Sequence, residues 1–275
     1  MTVTPSVVSA PQEFKTVCRR WRQHRKLSQL ELALAAGVSQ RHVSWLETGR
    51  SQPSRDMVIR LSEAMEIPLR ERNLLLQAAG YSAVYTEKRL DEPGMKPVLE
   101  ALRHVLKHHE PYPAVAVDRF WNVKMQNTAA DLLFGLGGDP EAMLDRMGET
   151  GEANLAMLSL HPAGLRPYIV NWEQIAPSFI RRLRSEALAS GDALMQERFE
   201  RIIALAGPIA EVGWTHESLM PILPLELNIN GLELSVFTII TTIGTPQDVT
   251  ADELRVEAFF PANPATEEFF RGVSG

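Results

Sequence analysis

The sequence has a single cysteine, Cys18, among its 275 residues. One cysteine cannot form an internal disulfide, so a small disulfide-stapled scaffold and a cysteine-built zinc site are both excluded. There is no run of about 18 uninterrupted apolar residues, and the first eleven residues lack the charged and apolar regions of a signal peptide. We therefore expect a cytoplasmic protein with no membrane partner and a loose tail at 1–11.

The chain also lacks the sequence patterns of common catalytic and cofactor sites. It contains no Gly-x-Ser-x-Gly elbow, no phosphate loop and no dinucleotide fingerprint. His104 and His108 lie four residues apart and are followed by His109 and Glu110, but no second cluster accompanies them. An exposed polar face therefore explains these side chains better than zinc does. The sequence predicts no enzyme, no metal site and no cofactor.

The charge is low in total but unevenly distributed. A formal net charge of −6 argues, by itself, mildly against a nucleic-acid partner. Residues 1–80, however, carry twelve Lys and Arg against seven acidic residues, which gives +5. The remaining residues carry sixteen against twenty-seven, which gives −11. A basic head on an acidic body indicates two modules with different partners.

The first 80 residues have helical periodicity. Apolar side chains recur at helical spacing between Gly, Ser and Pro breaks. The predicted helices are 13–25, 28–36, 39–47, 54–66 and 69–79. The next segment, 81–95, is charged, contains Pro93 and Gly94 and has no periodicity, which predicts a linker. We expect one domain at 12–80 and a second at 96–275.

The second module mixes helices with strands. After a predicted helix at 96–109, the hydrophobic period changes from 3.6 to 2. Residues 113–135 predict a strand, a turn, a second strand through Trp121 and a helix capped by Asn127. Helical segments interrupted by Gly and Pro follow at 139–206.

The last third returns to strand. Asn230 and Gly231 predict a two-residue type I′ hairpin turn, in which residues equidistant from the turn face each other. Beyond Ser235 both faces of the strand are apolar, so we expect that end to be buried on both sides. With a final strand at 254–261, the module is predicted to be α+β, with an antiparallel sheet and helices on one face.

One helix of the basic module is predicted to present a polar, cationic face. Gly37 takes the tight turn before it, and Ser39 is a well-placed N-cap. The outward side chains are Gln40, Arg41, Ser44 and Trp45, with His42 beside them. Such a face fits the major groove, where Arg forks onto guanine and Gln onto adenine. The alternative is an ordinary helical bundle whose surface is basic.

This spacing resembles the Cro/C1-type helix-turn-helix of the XRE family. The matching positions are Ser28, Gln29, Leu32, Ala33, Gly37, Val38, Ser39, Val43, Ser44, Glu47, Gly49 and Pro53. The resemblance implies an all-α five-helix domain in which Gln29 contacts phosphate and the outward residues face bases or backbone. It also implies a structural ion pair between Arg22 and Glu47. The predicted DNA-binding residues are Gln29, Ser39, Gln40, Arg41, His42, Ser44, Trp45 and Arg50.

The acidic module resembles two related kinds of domain. Residues 113–135 look like the opening of a PAS-type domain, which uses the space between sheet and helices as a small-molecule pocket. A closer resemblance, to the MmyB-like regulators, covers the whole module. It rests on Pro93-Gly94, PAVAVDRFWNV (113–123), Asn127-Thr128-Ala129, LSLHPAGLRPYIVNW (158–172) and TTIGTPQDVTADELRVEAFFPA (241–262). In that family an XRE-type head precedes a PAS-like ligand-binding domain, which implies a transcription regulator that answers to a hydrophobic metabolite, best guessed as a fatty acid or lipid-like molecule.

Candidate ligand contacts follow from residue chemistry. Arg166 lies in a mostly apolar stretch, where an unpaired guanidinium is costly to bury. In one reading the Arg166 guanidinium binds a ligand carboxylate through two hydrogen bonds. In the other it forms an internal salt bridge or is exposed to solvent. Asn127 is more readily explained as a cap than as a ligand contact. The predicted ligand-binding residues are Asn122, Asn127, Arg166, Trp172 and Phe237.

Two architectures remain open for the whole chain. In the first, a homodimer places two recognition helices on a near-palindromic operator in double-stranded DNA, and a hydrophobic ligand in the second module modulates binding. In the second, the same head is joined to a module that only dimerises or binds another protein.

Overall fold

The computed structural model describes residues 13–148, 151–209 and 221–273. The described residues form two compact units, those within 1–87 and 247–249 and those within 88–246 and 250–275. We call the first the helical unit and the second the sheet unit. The predicted fold class, an all-α region followed by an α+β region with an antiparallel sheet, is confirmed.

The helical unit contains five helices among its described residues. They are α1 (Phe14–His24), α2 (Gln29–Ala35), α3 (Gln40–Thr48), α4 (Arg55–Ala64) and α5 (Leu69–Ala78). Ser28, Ser39 and Ser54 each cap the helix that follows, because the side-chain oxygen accepts a backbone N–H of the first turn. Apolar residues at helical spacing, among them Trp21 and Leu32, form one buried core.

Two glycines set the position of α3. Gly37, between α2 and α3, has φ +65°, and Gly49, at the C-terminal end of α3, has φ +75°. Side chains with a Cβ rarely adopt this region, so glycine permits both turns. The N–H of Val38 donates to the carbonyl of Ala33 at 2.8 Å, which closes the α2–α3 turn.

The first residues of the predicted linker are bound to the helical unit. The Oδ1 of Asn73 accepts the backbone N–H groups of Val84 and Tyr85 at 3.0 and 3.1 Å. The Asn73 amide also donates to the Tyr85 carbonyl at 2.7 Å, and the Tyr81 hydroxyl donates to the carbonyl of Pro53 at 2.9 Å. These contacts give residues 81–85 defined positions against α5 and the α3–α4 loop.

The sheet unit is built around a five-stranded antiparallel sheet of order β2-β1-β5-β4-β3. The strands are β1 (Ala114–Val117), β2 (Val123–Gln126), β3 (Leu225–Ile229), β4 (Leu232–Thr242) and β5 (Arg255–Pro261). The helices from Lys96 onward are α6 (Lys96–His108), α7 (Thr128–Gly135), α8 (Pro140–Arg146), α9 (Leu155–Leu160), α10 (Trp172–Ser190), α11 (Ala193–Leu205), α12 (Val249–Glu253) and α13 (Pro264–Val273). Short 3₁₀ turns span Pro93–Met95 and Arg166–Tyr168.

Helices cover both faces of the sheet, so the expectation of one covered face is wrong. In β1, Val115 and Val117 belong to the large core beneath α7, α9, α10 and α11. Ala114 and Ala116, on the opposite face, pack in a second core with Leu102 and other apolar residues of α6. The apolar stripe of α6 is stable only when it is buried, and it packs on this face of the sheet. The small alanine side chains of β1 let the helix lie close to the strand.

The hairpin register predicted from the turn is confirmed, but the burial of β4 is not. Asn230 and Gly231 have φ of +54° and +89°, and residues equidistant from them are partners. Ile239, near the far end of β4, is 47% exposed, so that end is not buried on both sides. The second predicted strand also starts later than expected, because buried Trp121 takes φ +68° and β2 begins at Val123.

None of the helices in the described ranges combines enough length with enough apolar character to cross a membrane.

Candidate nucleic-acid interface and ligand cavity

The outward face of α3 carries the side chains expected there. Gln40 and Arg41 are exposed, and His42, Ser44 and Trp45 are partly exposed. The guanidinium carbon of Arg41 lies 4.4 Å from the centroid of the Trp45 ring, one helical turn away. Because the indole supports the guanidinium through a cation–π contact, Arg41 is held against the helix while its N–H groups stay open to solvent.

The flanking candidates have more local contacts. Ser39 is exposed and its oxygen accepts the N–H of His42 at 3.2 Å, so the structure gives it the role of N-cap of α3. Arg50, just beyond Gly49, is exposed. Gln29 heads α2, and its side-chain amide donates to Glu47 Oε2 at 2.9 Å. That bond orients Gln29 at the junction of α2 and α3.

Glu47 is the buried charge that joins these helices. Its side chain has no exposed surface and accepts the Arg22 guanidinium in a bidentate pair, with N–O distances of 2.6 and 2.9 Å. Burial opposes ionisation, but the hydrogen bonds from Arg22 and Gln29 and the nearby positive charge of Arg19 hold the pKa of Glu47 below its usual range. The predicted Arg22–Glu47 ion pair is therefore confirmed, and it fixes α3 against α1.

The sheet unit contains a cavity of about 240 Å³ between the sheet and helices α9 and α10. Four aromatic side chains, those of Trp121, Trp172, Phe179 and Phe259, form much of its wall, and Phe237, whose ring stacks on Phe260, also borders it. Six leucine and isoleucine residues are the largest group among the other residues of the wall. A largely apolar concave space with a few polar groups is the usual form of a small-molecule site.

Glu257 is the buried acidic group of this wall. It is 6% exposed, and its Oε2 has no hydrogen-bond partner among the described residues. Burial raises the pKa of Glu257, which outweighs the opposing effects of a hydrogen bond from Thr238 and of the positive charges of Arg182 and Arg255. The negative charge of nearby Glu186 raises it further. The neutral form is therefore favoured relative to an ordinary glutamate.

Glu186 accepts hydrogen bonds from the basic side chains near the cavity. Its carboxylate accepts the indole N–H of Trp121 at 2.9 Å, the Nε of Arg182 at 3.0 Å and the Nη1 of Arg255 at 2.7 Å. The guanidinium carbons of Arg182 and Arg255 lie 5.3 and 4.8 Å from the centroid of the Trp121 ring. The Glu186 carboxylate thus binds both guanidinium groups, and Arg182 also lines the cavity.

Only two of the predicted ligand-binding residues, Trp172 and Phe237, lie in the cavity wall. Arg166 is outside the wall. Its guanidinium carbon lies 4.8 Å from the centroid of the Trp172 ring, and its Nη1 donates to the carbonyl of Leu205 at 3.4 Å. Arg166 therefore packs behind Trp172, in a partly exposed position.

The two predicted asparagines have other contacts. The Asn122 side-chain amide donates a hydrogen bond to Asp118, and its oxygen accepts hydrogen bonds from the side chains of Asn154 and Arg198. These bonds stabilise the β1–β2 loop. Asn127 caps α7 by accepting the N–H of Ala130 at 3.0 Å, and its Oδ1 also accepts the N–H of Ala114 at 2.9 Å. These hydrogen bonds give both asparagines a structural role.

A second, larger depression of about 730 Å³ lies where α6, β2 and α7 meet, with Asn127 among the residues around it. Its rim is mostly polar and includes Arg103, Lys107 and Asp131. Despite its greater volume, none of the residues around it has a buried side-chain polar atom without a hydrogen-bond partner among the described residues, as Glu257 has in the smaller cavity. We therefore take the aromatic cavity as the candidate ligand site.

Comparison with known families identifies both units. The profile described as helix-turn-helix matches residues 19–72. The profile of the MmyB-like transcription regulator ligand binding domain matches residues 98–272, more than half of the chain. The chain belongs to the MmyB-like transcription regulators. Both families are domains of transcription regulators that bind DNA or ligands, and neither is an enzyme family.

Other comparisons add little to the description of this MmyB-like regulator. No curated protein matches its sequence significantly. A solved structure similar to it is that of the PAS domain from Bordetella pertussis BvgS, with 15% sequence identity over 65% of this chain and 95% of that chain, and a TM-score of 0.27. A TM-score this low supports no inference about the regulator.

Sequence reasoning missed Trp121, Arg182 and Glu257 as cavity residues of the regulator. A usable signal existed in β5, where Glu257 has the same strand parity as Phe259 and so shares its face. A charged residue on the face of a buried aromatic is unusual enough to mark a site. Arg182 gave no such signal, because one arginine in an arginine-rich helix looks like a solvated side chain.

Cys18 and the histidines of α6 have no place in either site. Cys18 is 1% exposed in the core of the helical unit, and burial and the nearby Glu47 charge raise its pKa to about 12. The packing role predicted for it is thus confirmed. Within the described ranges, no group of three or more His, Cys, Asp or Glu side chains is arranged to hold a metal ion.

Proposed function

We propose that this MmyB-like regulator binds a near-palindromic operator in double-stranded DNA as a homodimer and that a hydrophobic small molecule in the aromatic cavity controls the binding. A fatty acid or similar lipid-like metabolite is the proposed ligand. The cavity is the single observation that carries the proposal, since a largely apolar concave space with a few polar groups is the usual form of a small-molecule site. A DNA-bound regulator works where the DNA lies, so a cytoplasmic location belongs to the proposal.

On the DNA side, α3 supplies the reading surface. Arg41 and Gln40 are exposed near its N-terminal end, where a recognition helix contacts base edges. Gln29, Ser39, His42, Ser44, Trp45 and Arg50 are the proposed additional contacts to bases or phosphates. In a two-fold dimer the two α3 helices would lie in successive major grooves, about 34 Å apart.

On the ligand side, the effect is a shift between two arrangements of the dimer. A ligand changes DNA affinity only by its differential affinity for the two arrangements. We propose that occupation of the cavity changes how α6, the first helix of the sheet unit, packs on the sheet, and through it the spacing of the two heads.

The test begins with mass spectrometry of the purified, denatured regulator. A co-purifying acid or lipid supports the sensor function, and adding it back to delipidated protein should change the affinity for a selected operator. A cavity that stays empty in a regulator that still dimerises and binds DNA unchanged would contradict the ligand proposal. That result would favour the alternative, a sheet unit that serves dimerisation or protein interaction.

A further inference from the structure

We propose that His104 and His108 of α6 bind a zinc ion and that the same two side chains of a second copy of the chain complete its four ligands. The metal would then join two sheet units through their α6 helices. This inference goes beyond the proposed function and does not depend on the ligand of the aromatic cavity. It gives the proposed homodimer a metal-dependent contact.

His104 and His108 are placed to hold one metal ion between them. They lie four residues apart on α6, both are exposed, and their ring centroids are 6.4 Å apart. Two histidines at this spacing on one helix face form the metal-binding pair of helical zinc sites. Zinc lies about 2.0–2.1 Å from each coordinating nitrogen, so the two nitrogens must come within about 3.3 Å of each other. Because both side chains are exposed, they can rotate to this distance without displacing a packed neighbour.

The ring nitrogens of this pair are available to a metal. Within residues 13–148, 151–209 and 221–273, the two rings contact each other but make no hydrogen bond or ion pair. By contrast, His109 donates its Nε2–H to a backbone carbonyl of β5 at 2.7 Å. The Nδ1 of His161 accepts a backbone N–H at 3.0 Å. Those two histidines therefore have structural roles, which His104 and His108 lack.

One chain supplies only two ligands. Structural zinc sites have four protein ligands, and no third His, Cys, Asp or Glu of the described ranges joins this pair. Glu100 lies one turn before His104, but it is eight residues from His108, which places the two about 12 Å apart along the helix. A second copy related by a two-fold axis brings an identical pair, and two pairs on crossing helices can surround the ion tetrahedrally. The incomplete pair explains why the sequence of one chain indicated no metal site.

The surface around the pair is suited to contact with a second copy. Pro97, Ala101 and Val105 share the side of α6 with the two histidines, because the helix repeats every 3.6 residues. All five residues are exposed, and Val105 is 47% exposed. The Lys, Arg and Glu side chains of α6 follow one another on the adjacent face. Two such strips can therefore meet without bringing like charges into contact.

Charge and area both make this contact depend on a cation. Residues 81–275, which contain most of the sheet unit, carry a net charge of −11, so two copies repel each other. An ion of charge +2 between them offsets part of that repulsion. The strip is also small, since a stable interface buries about 1,200 Å² or more and needs about 20 residues a side. We therefore expect the contact between the α6 helices to form with zinc and to be weak without it.

The experiment measures zinc content and self-association of the full-length regulator, purified without a histidine tag and freed of metal with a chelator. After dialysis against zinc chloride, elemental analysis should find one zinc ion per two chains. Sedimentation equilibrium should give a dimer dissociation constant at least about tenfold lower with zinc than with chelator, once free zinc exceeds its own dissociation constant about tenfold. The reason is that zinc binds the paired state more tightly than the single chain. Magnesium chloride should have no effect, because Mg²⁺ prefers oxygen ligands.

Two substitutions assign the site, and a third serves as the matched control. His104→Ala and His108→Ala each remove one ligand per chain, and because both side chains are exposed, both variants should fold. Each should lose the bound zinc and the effect of zinc on the dimer. Glu100→Gln changes an exposed side chain on the same helix, one turn from His104, and should keep both. The far-UV signal checks that all three variants keep their helices.

Several outcomes would overturn the shared site. It is wrong if no zinc remains bound, if one zinc ion binds per chain without changing self-association, or if magnesium acts like zinc. It is also wrong if either histidine variant behaves like the wild type or if Glu100→Gln loses the zinc. A dimer that is equally stable with zinc and with chelator overturns this site but leaves the proposed operator-binding homodimer in place. A chain that is monomeric under both conditions contradicts the site and the homodimer alike.

Discussion

The Arg22 guanidinium binds the Glu47 carboxylate through two hydrogen bonds, Nε to Oε1 at 2.6 Å and Nη2 to Oε2 at 2.9 Å. The same guanidinium donates to the carbonyl of Leu27 at 2.7 Å, at the loop between α1 and α2. Because Glu47 lies on α3, the ion pair fixes the orientation of this helix against α1.

Substitution of Arg22 by Met should destabilise the helical unit by up to about 3–5 kcal/mol, because the buried Glu47 charge loses its bidentate partner and keeps only the Gln29 hydrogen bond and the Arg19 guanidinium at 3.6 Å. Hydrogen exchange of the α1 and α3 amides in the full chain measures this loss. The matched control is Arg184→Met, which breaks the ion pair to Glu200, where both side chains are more than half exposed. We expect a loss of about 1 kcal/mol or less from the control. Equal losses in the two variants would show that burial of the Arg22–Glu47 pair carries no special weight.

Acid should weaken the same unit through Glu47. The folded-state pKa of Glu47 lies below the ordinary value of 4.5, so its ionised form stabilises the fold at and above that pH. The contribution is lost as the pH falls through the lowered pKa. Amide protection in α1 and α3 should therefore drop below about pH 4.5 in the wild type. The drop should be smaller in Glu47→Gln, which has no carboxylate to protonate there, and an identical acid profile would contradict the assignment.

Cys18 should be inert in the folded protein. Thiol reagents react with the thiolate, and a buried thiol with a pKa of about 12 supplies almost none near neutral pH. We expect labelling with a disulfide reagent to be slow in native buffer and fast in denaturant. Arg22→Met, which loosens the surrounding core, should speed the native reaction. Fast labelling of the native wild type would place Cys18 at the surface instead.

Asn127→Ala should reduce stability rather than ligand affinity alone. The substitution removes the N-cap of α7, worth about 1 kcal/mol, and leaves the buried N–H of Ala114 without its acceptor, which costs about 1–3 kcal/mol more. The measurement is urea unfolding, followed by the far-UV signal, together with mass spectrometry of any small molecule that co-purifies with the variant. An unchanged unfolding midpoint together with the loss of a small molecule that co-purifies with the wild type would restore Asn127 as a ligand contact.

Arg41→Ala should weaken binding to a selected operator by about 1–3 kcal/mol while sparing binding to random DNA. The physical reason is that a guanidinium on a base edge carries sequence information, whereas a phosphate contact does not. Fluorescence anisotropy at a fixed salt concentration measures both affinities. Arg184→Ala, far along the sequence in α10, serves as the charge-matched control. Equal losses on operator and random DNA would make Arg41 a phosphate contact.

Local patterns predicted most of the elements because their causes are local. The five helices of the helical unit begin and end within two residues of the expected positions, since Ser caps and Gly turns act on their immediate neighbours. The hairpin register followed from Asn230 and Gly231 for the same reason. Trp121 escaped prediction, because its positive φ and burial depend on Glu186 and Phe179, which come more than fifty residues later.

In the candidate sites, too, some features have local causes and others depend on contacts between residues distant in the sequence. The sequence alone determined which residues lie on the outward face of α3, because the residues on one side of a single helix are set by its period of 3.6. It also determined the two modules and their opposite charges. Only the tertiary structure decided that Glu257 and Arg182, rather than Arg166, lie at the aromatic cavity, because a cavity is made by side chains from β4, β5, α9 and α10 that no local pattern relates to one another.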